Sequence, residues 1–307
     1  MSFEEKLYAL AGERVRRAEP MSRHTTFRIG GPAEFYVTPS DAEEFCRVAK
    51  LCRSEAVPYY VIGNGSNLLC SDQGVSGVIL DTTEGLVSCR ADGTKLWAGA
   101  GMLLGCLAKK ALEAGLSGLE FAAGIPGSVG GAMVMNAGAY GSEMKQVVHR
   151  VRVFTKEGAV EEVPAERMDF AYRHSAVRRE GWIVLEVCFE LAEKDRAAIR
   201  GRMEELAGKR RQSQPLESPS AGSTFKRPAV GYAAQLIDEA GLKGFRVGGA
   251  QVSPKHAGFV INCGGATAAD VGRLCAVIRE RVRERTGICL EPEIEAIGEQ
   301  ECLFPPT

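Results

Sequence analysis

A short polar segment, SPSAGSTFKRP at residues 218–228, raises the first chemical question of this sequence. It places Gly222 and Ser223 close to Lys226 and ends in a proline. One interpretation is a polar surface loop, and the other is a serine held against a bound substrate. From residue 223 to residue 256 there are five basic residues and two acidic ones, which fits an anion site, and an ordinary solvated helix and loop is the alternative. The basic residues are Lys226, Arg227, Lys243, Arg246 and Lys255.

Two glycine-rich segments form the second candidate for binding chemistry. GNGSN at residues 63–67 follows an apolar run, and its residues tolerate positive φ, so that backbone N–H groups can turn toward one anion. In residues 120–141, Ser128 is expected to open a helical turn whose free N–H groups suit a pyrophosphate. Simple turns are the alternative. Neither segment is GxGxxG opening a βαβ unit or GxxxxGK[ST], so Rossmann and P-loop sites are not supported.

The elements that must position these segments can be predicted from hydrophobic spacing and turn residues. Helices are expected at residues 40–55, 102–114, 193–211, 232–240 and from 268 onward. Ser40 and Glu43 are expected to form a capping box on the first of these helices, and Thr267 with Asp270 is expected to open the last. Strands are expected at 59–62, 77–80, 95–100, 182–192 and 289–298, with a hairpin around 156–158. This arrangement predicts an α+β protein.

The composition limits the class of function. With 307 residues, of which 45% are hydrophobic and 25% charged, the chain is expected to form two or three packed domains. A net charge of -1 argues against non-specific nucleic-acid binding. Ten cysteines without a CxxC pair and four scattered histidines argue against a metal site and suit a reducing cytosol. Because no signal peptide or apolar membrane span is evident, we expect a cytoplasmic protein without membrane contact, and a monomer.

Seven segments in one order resemble the UDP-N-acetylenolpyruvoylglucosamine reductase family, the flavoenzymes of bacterial cell-wall precursor synthesis. They are HTTFRIGGPAEFYV (24–37), VIGNGSNLL (61–69), EFAAGIPGSVGGAMVMNAGAYG (120–141), YRHS (172–175), SAGSTFKRP (220–228), LIDEAGLKGFRVGGAQVSPKHAGFVIN (236–262) and LEPEIEAIG (290–298). The resemblance spans nearly the whole chain. It is to the shorter form of the family, because little sequence separates Arg173 from Ser223.

The resemblance implies a two-lobed FAD-binding region of the vanillyl-alcohol-oxidase type and a C-terminal α+β substrate-binding lobe. We expect the lobes at residues 1–74, 75–200 and 201–307, with a last strand from about residue 290 returning to the active site. FAD is implied to be bound non-covalently, with NADPH as the reductant. The residues that match the FAD-binding motifs are Gly63, Asn64, Gly65, Ser66, Asn67, Gly124, Ser128, Gly130 and Ala132.

The resemblance also implies a reaction, the reduction of UDP-N-acetylglucosamine enolpyruvate to UDP-N-acetylmuramate. Hydride passes from flavin N5 to the enolpyruvyl β-carbon, and Ser223 gives a proton to the α-carbon. Arg173 matches the family's catalytic arginine, and a guanidinium binds a carboxylate through two hydrogen bonds. Glu293 matches the catalytic glutamate, and Lys226 and Arg227 are expected to bind the substrate.

Other interpretations remain open at the level of the residues. Arg173 also fits a solvated basic loop, and residues 291–295 fit a solvated acidic strand edge that contains a proline. Glu295 departs from the family, in which a basic residue is commoner at that position. The alternative functions are another FAD-dependent sugar or alcohol oxidoreductase of the same fold and a non-catalytic nucleotide-binding protein.

Overall fold

The computed structural model describes residues 1–298 as a mixture of helices and strands. The α-helices of this part of the chain are α1 (Phe3–Ala11), α2 (Ala42–Ser54), α3 (Leu104–Ala114), α4 (Val129–Met135), α5 (Ala176–Arg179), α6 (Arg196–Ser213), α7 (Ala233–Glu239) and α8 (Ala268–Thr286). Short 3-10 turns connect several of them to neighbouring strands.

The strands lie between these helices, in several places with two or more strands in succession. They are β1 (Val15–Pro20), β2 (Pro32–Val37), β3 (Tyr59–Ile62), β4 (Leu68–Cys70), β5 (Val75–Asp81), β6 (Cys89–Asp92), β7 (Lys95–Gly99), β8 (Leu116–Ser117), β9 (Gly138–Ala139), β10 (Ser142–Glu143), β11 (Val148–Phe154), β12 (Val160–Pro164), β13 (Ile183–Glu190), β14 (Ala192–Glu193), β15 (Ser220–Ser223), β16 (Arg246–Val247), β17 (Ala250–Val252), β18 (Phe259–Asn262) and β19 (Glu295–Ile297).

Three larger sheets organise these strands. Their orders are β1-β2-β5-β3, β12-β11-β13-β7-β6 and β15-β18-β17-β16, and the last two are antiparallel throughout. The run IVLEVCFE of β13 is apolar at most positions because this strand is central in its sheet and nearly all its side chains are buried. Strand β19 pairs in parallel with the short β4.

The chain divides into two compact units, each built from several segments. Unit one comprises residues 1–16, 36–64 and 78–210, and unit two comprises residues 17–35, 65–77 and 211 onward. Unit one is centred on the five-stranded sheet with α3 and α4. In unit two, α7 and α8 enclose an apolar core with the sheet of β15 to β18, and the predicted face of α8 is fully buried at Val271, Leu274, Ile278 and Val282. The three-lobe limits at 1–74, 75–200 and 201–307 stay a prediction.

Most local predictions are confirmed. Helix α3 ends at Gly115 in the left-handed conformation, the hairpin β11–β12 forms, and Thr267 with Asp270 makes a capping box on α8. The predicted cap of α2 is wrong. Asp41, one residue nearer the helix, accepts a hydrogen bond from the Glu44 N–H at 2.8 Å, whereas the Ser40 hydroxyl donates to the Glu44 carboxylate.

The predicted final strand at 289–298 is also shorter than expected, since regular pairing in this stretch is confined to β19. Residues before it are held by an isolated bridge between Phe225 and Pro292. Because regular pairing begins only at Glu295, residues 291–295 do not form the solvated strand edge that simple alternation indicates, and Glu293 is buried at 9% exposure.

Candidate active site

The loop at residues 63–67 offers a run of unused hydrogen-bond donors. Within residues 1–298, none of its five consecutive backbone N–H groups donates to a protein acceptor. The glycines are required by space, because a Cβ on Gly63 would lie 1.9 Å from Ser128 Oγ, and one on Gly65 (φ +57°) would lie 2.0 Å from the His24 carbonyl oxygen. Consecutive free N–H groups in a glycine loop fit a phosphate-bearing group such as the FAD pyrophosphate.

Thr82 holds the first peptide group of this loop in place. Its backbone N–H and its hydroxyl both donate to the Ile62 carbonyl, at 3.1 and 3.0 Å. Because the peptide is planar and trans, a fixed Ile62 carbonyl also fixes the Gly63 N–H, which points the opposite way. Thr82 is buried at the end of β5 and was missed from the sequence, where only its position after a strand marks it.

In the second glycine-rich segment, the N–H groups at the start of helix α4 were expected to be free, but they are hydrogen-bonded within the protein. Ser128 caps α4, but the N–H groups of Val129 and Gly130 donate to the carbonyls of Met102 and Ala100, at 2.8 and 2.7 Å. A Cβ on Gly130 would also lie 3.1 Å from that of Ala100, so this glycine serves close packing. These donors are already used within the protein. Contact of Ser128, Gly130 and Ala132 with a flavin stays a prediction.

Arg173 lies at the tip of a tight turn in unit one. The backbones of Ala171 and His174 exchange two hydrogen bonds of 3.1 and 3.2 Å, and Arg173 between them has φ +53°. A non-glycine residue in this left-handed region is uncommon and is held by its surroundings. The guanidinium lies over the Tyr172 ring, 5.1 Å from its centroid.

Asn136 is the side chain that braces this turn. It is 1% exposed, and its amide donates to the Ala171 carbonyl at 3.1 Å and to the Glu143 carboxylate at 3.0 Å. Its side-chain oxygen accepts the Lys145 N–H at 3.0 Å. Ser175 adds a bond from its hydroxyl to the Val134 carbonyl. Sequence analysis missed Asn136, whose signal is an asparagine directly after a helix, where left-handed backbone is common.

Unit two brings together Ser223 and Glu293, which are far apart in sequence. The Glu293 N–H donates to the carbonyl of Thr224, the residue after Ser223, at 2.8 Å, and the Lys226 N–H donates to the Glu291 carbonyl at 2.9 Å. Ser223 also pairs with Phe259 of β18 across a register shift in which Gly222 has φ +77°. Irregularities of this kind re-aim side chains, and they recur beside active sites.

Asn67, from the glycine loop, adjoins the Glu293 segment. Its side-chain amide donates to the Glu293 carbonyl at 3.0 Å, and its own carbonyl accepts the Glu295 N–H at 2.8 Å. One end of the predicted flavin loop is thereby tied to a predicted catalytic segment within the same unit.

The predicted substrate-binding residues lie at the surface of the same unit. The Lys226 ammonium group is 3.3 Å from the Glu291 carboxylate, and the Arg227 guanidinium lies 4.8 Å from the centroid of the Tyr232 ring. His256, in a nearby motif, packs edge-on against Phe259, and its Nδ1 accepts the Gly258 N–H at 3.1 Å. Burial lowers the pKa of His256.

Neither a metal cluster nor a membrane helix accompanies these features. Residues 1–298 contain no group of three or more His, Cys, Asp or Glu side chains placed to hold a metal ion. No helix in this range is long and apolar enough to cross a bilayer. The nine cysteines of the described chain form no disulfide.

Comparison with known proteins defines the class first. The sequence profile of an FAD binding domain matches residues 33–164, so the chain is an FAD-binding flavoprotein. Together with the fold, this confirms the expected α+β architecture with an FAD-binding region of the vanillyl-alcohol-oxidase type and a C-terminal lobe.

The particular family follows from the rest of the chain. The profile of the UDP-N-acetylenolpyruvoylglucosamine reductase C-terminal domain matches residues 214–297. The chain is 50% identical to the reductase of that name from Heliobacterium modesticaldum, over 92% of this chain and 90% of the relative. Identity to the reductase from Lachnoclostridium phytofermentans is 48%, over 94% of each chain.

A solved structure agrees with these relatives. The crystal structure of UDP-N-acetylenolpyruvylglucosamine reductase from Thermus caldophilus superposes with a TM-score of 0.80 at 40% identity, covering 92% of this chain and 99% of that one. The chain therefore belongs to the UDP-N-acetylenolpyruvoylglucosamine reductase family and is an FAD-dependent oxidoreductase, as the sequence motifs predicted.

Proposed function

We propose that this protein reduces UDP-N-acetylglucosamine enolpyruvate to UDP-N-acetylmuramate, a step of peptidoglycan precursor synthesis, with NADPH as the reductant. When bound, FAD would supply the redox chemistry, relaying the hydride of NADPH to the β-carbon of the enolpyruvyl group. The reactions of its relatives and the match to an FAD binding domain support this assignment. The free N–H groups at residues 63–67 are suited to hold the cofactor non-covalently.

Ser223 is the proposed proton donor to the α-carbon of the substrate. Hydride addition leaves carbanion character on that carbon, and a carbanion more basic than an alkoxide can take a proton from a serine hydroxyl. The observation that carries the proposal is the backbone hydrogen bond from Glu293 to Thr224, the residue after Ser223, which brings together two segments that the family resemblance implies to be catalytic.

Arg173 and Glu293 are proposed to stabilise the enediolate that precedes this protonation. A permanently charged guanidinium can bind the substrate carboxylate through two hydrogen bonds and keep the developing charge close to it. Arg173, on its braced turn, is suited to that task. The partly buried setting of Glu293 suits a group that forms a directed hydrogen bond.

Lys226 and Arg227 are proposed to bind the anionic UDP-sugar, since both extend from the strand segment that carries Ser223. The cytoplasmic location and monomeric state expected from the sequence belong to this proposal as well. Flavin attachment through histidine, common among sugar oxidases of this fold, is disfavoured because none of the four histidines lies in the glycine-rich segments.

The test separates the two half-reactions in a Ser223→Ala variant. Under anaerobic conditions, NADPH should bleach the flavin absorbance at the wild-type rate. Recovery of that absorbance on addition of the UDP-enolpyruvyl sugar should slow by about 100-fold or more, the scale of a lost general acid. Stopped-flow absorbance at the flavin band measures both rates.

Ser220→Ala is the matched control, because Ser220 lies on the same strand and pairs with the same neighbour β18. It should leave both half-reactions within about twofold of wild type, as for most substitutions away from a reacting group. Equal slowing of both half-reactions by Ser223→Ala would contradict the assigned role.

A further inference from the structure

The end of strand β5 carries a buried polar pair to which the proposed reaction assigns no role. Tyr36, on the neighbouring strand β2, is fully buried, and its hydroxyl donates to the Asp81 carboxylate at 2.5 Å. Asp81 is buried as well, at 5% exposure. Burying a carboxylate is unfavourable unless hydrogen bonds replace the lost water, so this pair requires an explanation. Tyr36 belongs to the motif at residues 24–37, but no function was predicted for it.

The hydrogen bonds of this pair fix a short turn of the backbone. Burial and the adjacent Asp81 carboxylate raise the pKa of Tyr36, so the phenol stays protonated and acts as a donor. A hydroxyl that donates to a carboxylate at this distance forms a strong, charge-assisted bond. The other carboxylate oxygen, Oδ1, accepts the Thr83 N–H at 2.7 Å and the Thr83 hydroxyl at 2.8 Å. Together these three bonds hold the turn at residues 81–83.

The same turn holds the start of the loop at residues 63–67. Strand β5 lies between β2 and β3, and Asp81 is in register with Ile62, the last residue of β3. Thr82, the middle residue of the turn, donates to the Ile62 carbonyl from both its backbone N–H and its hydroxyl. The turn is therefore bonded to Tyr36 of β2 on one side and to Ile62 of β3 on the other.

We propose that the Tyr36–Asp81 pair is a positioning pair for the cofactor loop: it fixes the turn at residues 81–83, so that Thr82 keeps the Gly63 N–H turned toward FAD. The carbonyl and N–H of the planar Ile62–Gly63 peptide rotate together, so holding the carbonyl also holds the N–H. A donor that is already oriented binds a phosphate more tightly than one that must first be ordered. The pair acts through Thr82 and is not itself catalytic. The inference rests on one part of the proposed function, that this loop holds FAD.

Three variants of the holoenzyme test this connection through the dissociation constant of FAD, measured by flavin fluorescence on dilution and rebinding. Tyr36→Phe removes only the hydroxyl that bonds to Asp81, and Thr82→Val removes only the side-chain bond to Ile62. We expect each variant to bind FAD about fivefold more weakly or worse, the scale of one lost hydrogen bond. Because Tyr36 acts through Thr82, the double variant should bind FAD within about twofold of the weaker single variant.

Tyr59→Phe is the matched control. Tyr59 begins β3, at the opposite end of that strand from Ile62, and its hydroxyl accepts a hydrogen bond from Arg53 Nε at 2.8 Å. This variant loses a tyrosine hydroxyl in the same sheet and should keep the dissociation constant of FAD within about twofold. If Tyr36 has a structural role only, Tyr36→Phe will unfold at a lower urea concentration but bind FAD as wild type does, and the proposal is then wrong.

The remaining outcomes are also decisive. Losses that multiply in the double variant would show that Tyr36 acts independently of Thr82, which overturns the proposal. If Thr82→Val weakens FAD binding and Tyr36→Phe does not, the loop remains the FAD site but the pair does not position it; if neither does, the loop is not the site. Should Tyr36→Phe fail to fold, Thr83→Val removes another bond to the same carboxylate at a half-buried position and carries the same expectations.

These affinities are measured without the UDP-sugar. A wild-type protein that binds FAD in the expected way but is not reoxidised by the UDP-enolpyruvyl sugar would therefore keep the positioning pair and reject the proposed reaction.

Discussion

Two segments that carry predicted catalytic residues are held in opposite ways. The strand with Ser223 is fixed by backbone pairing, to β18 on one side and to the Glu293 segment on the other. Among residues 1–298, the turn with Arg173 has one isolated bridge, between Ala171 and His174, and the side chain of Asn136 supports it through the Ala171 carbonyl.

The difference shows where each segment is vulnerable. A backbone ladder spreads its stabilisation over several bonds that do not depend on side-chain identity. The Arg173 turn receives support from one buried amide, which bonds to Ala171 of the turn and also to Glu143 and Lys145. Loss of that amide leaves buried polar groups unpaired, which costs more than an average hydrogen bond contributes.

The largest expected effect is at the head group of Arg173 itself. Arg173→Lys keeps the charge and the turn but loses the planar fork, so the rate of flavin reoxidation by the UDP-enolpyruvyl sugar should fall by about 100-fold. Stopped-flow absorbance measures it. Arg178→Lys, an exposed arginine of the same segment, is the control. A rate within about threefold of wild type would mean that charge alone suffices at this position.

Asn136→Gly tests the bracing directly, because glycine tolerates the φ of +42° at this position and removes only the side chain. We expect a kcat about tenfold lower and a free energy of unfolding about 1–3 kcal/mol lower. Steady-state kinetics and urea unfolding measure the two quantities.

The counterpart in the other segment is Thr224→Val, which removes the acceptor for the Val260 N–H but leaves the backbone bonds beside Ser223 intact. It should lower stability by a similar amount and leave kcat within about threefold. If Asn136→Gly and Thr224→Val lower kcat equally, the proposed difference between the strand fixed by backbone pairing and the turn supported by a side chain is wrong.

The smallest effect concerns stability against pH in unit two. Backbone donation from Gly249, with further bonds from Thr267 and Arg273, holds the pKa of Asp270 below its usual value. A carboxylate with a lowered folded-state pKa stabilises the protein above the unfolded-state pKa, and this contribution is lost as pH falls through the folded-state value. Asp270→Asn should therefore be less stable than wild type at pH 7, and the difference in free energy of unfolding between the two proteins should shrink below about pH 4.

Urea unfolding between pH 7 and pH 3 measures this gap, and kcat at pH 7 should not change. Asp238→Asn is the control, since the Asp238 carboxylate forms an exposed ion pair with Lys243 in the same unit. If the difference in free energy of unfolding stays constant down to pH 3, the charge of Asp270 does not contribute to stability.

Local chemistry accounts for the predictions that succeeded. The Gly115 cap, the capping box on α8 and the hairpin at residues 156–158 each depend on residues a few positions apart, so their signals are present in short windows. The cap of α2 failed because Ser40 and Asp41 are adjacent acceptors of similar quality, and only the position of the first helical turn distinguishes them.

The site residues differ in the same way, since some are marked by sequence motifs and others only by tertiary contacts. The order of seven motifs was enough to identify the family and to name Ser223, Arg173 and Glu293. Asn136 and Thr82 escaped attention because their importance lies in what they contact, and single-residue patterns do not report contacts. The expectation of free N–H groups at α4 failed for the same reason, since Met102 and Ala100 supply the acceptors from another segment.

By itself, the sequence determined the longer helices α2, α3, α6, α7 and α8, the strands β3, β5, β7 and β11 to β13, the flavin-binding class and the family, because these follow from short-range periodicity and from motifs in a characteristic order. Only the tertiary structure decided that, within residues 1–298, the backbone donors at residues 63–67 stay free and Glu293 is buried. Burial and hydrogen-bond pairing depend on residues that are distant along the chain, and the folded backbone alone determines which of them meet.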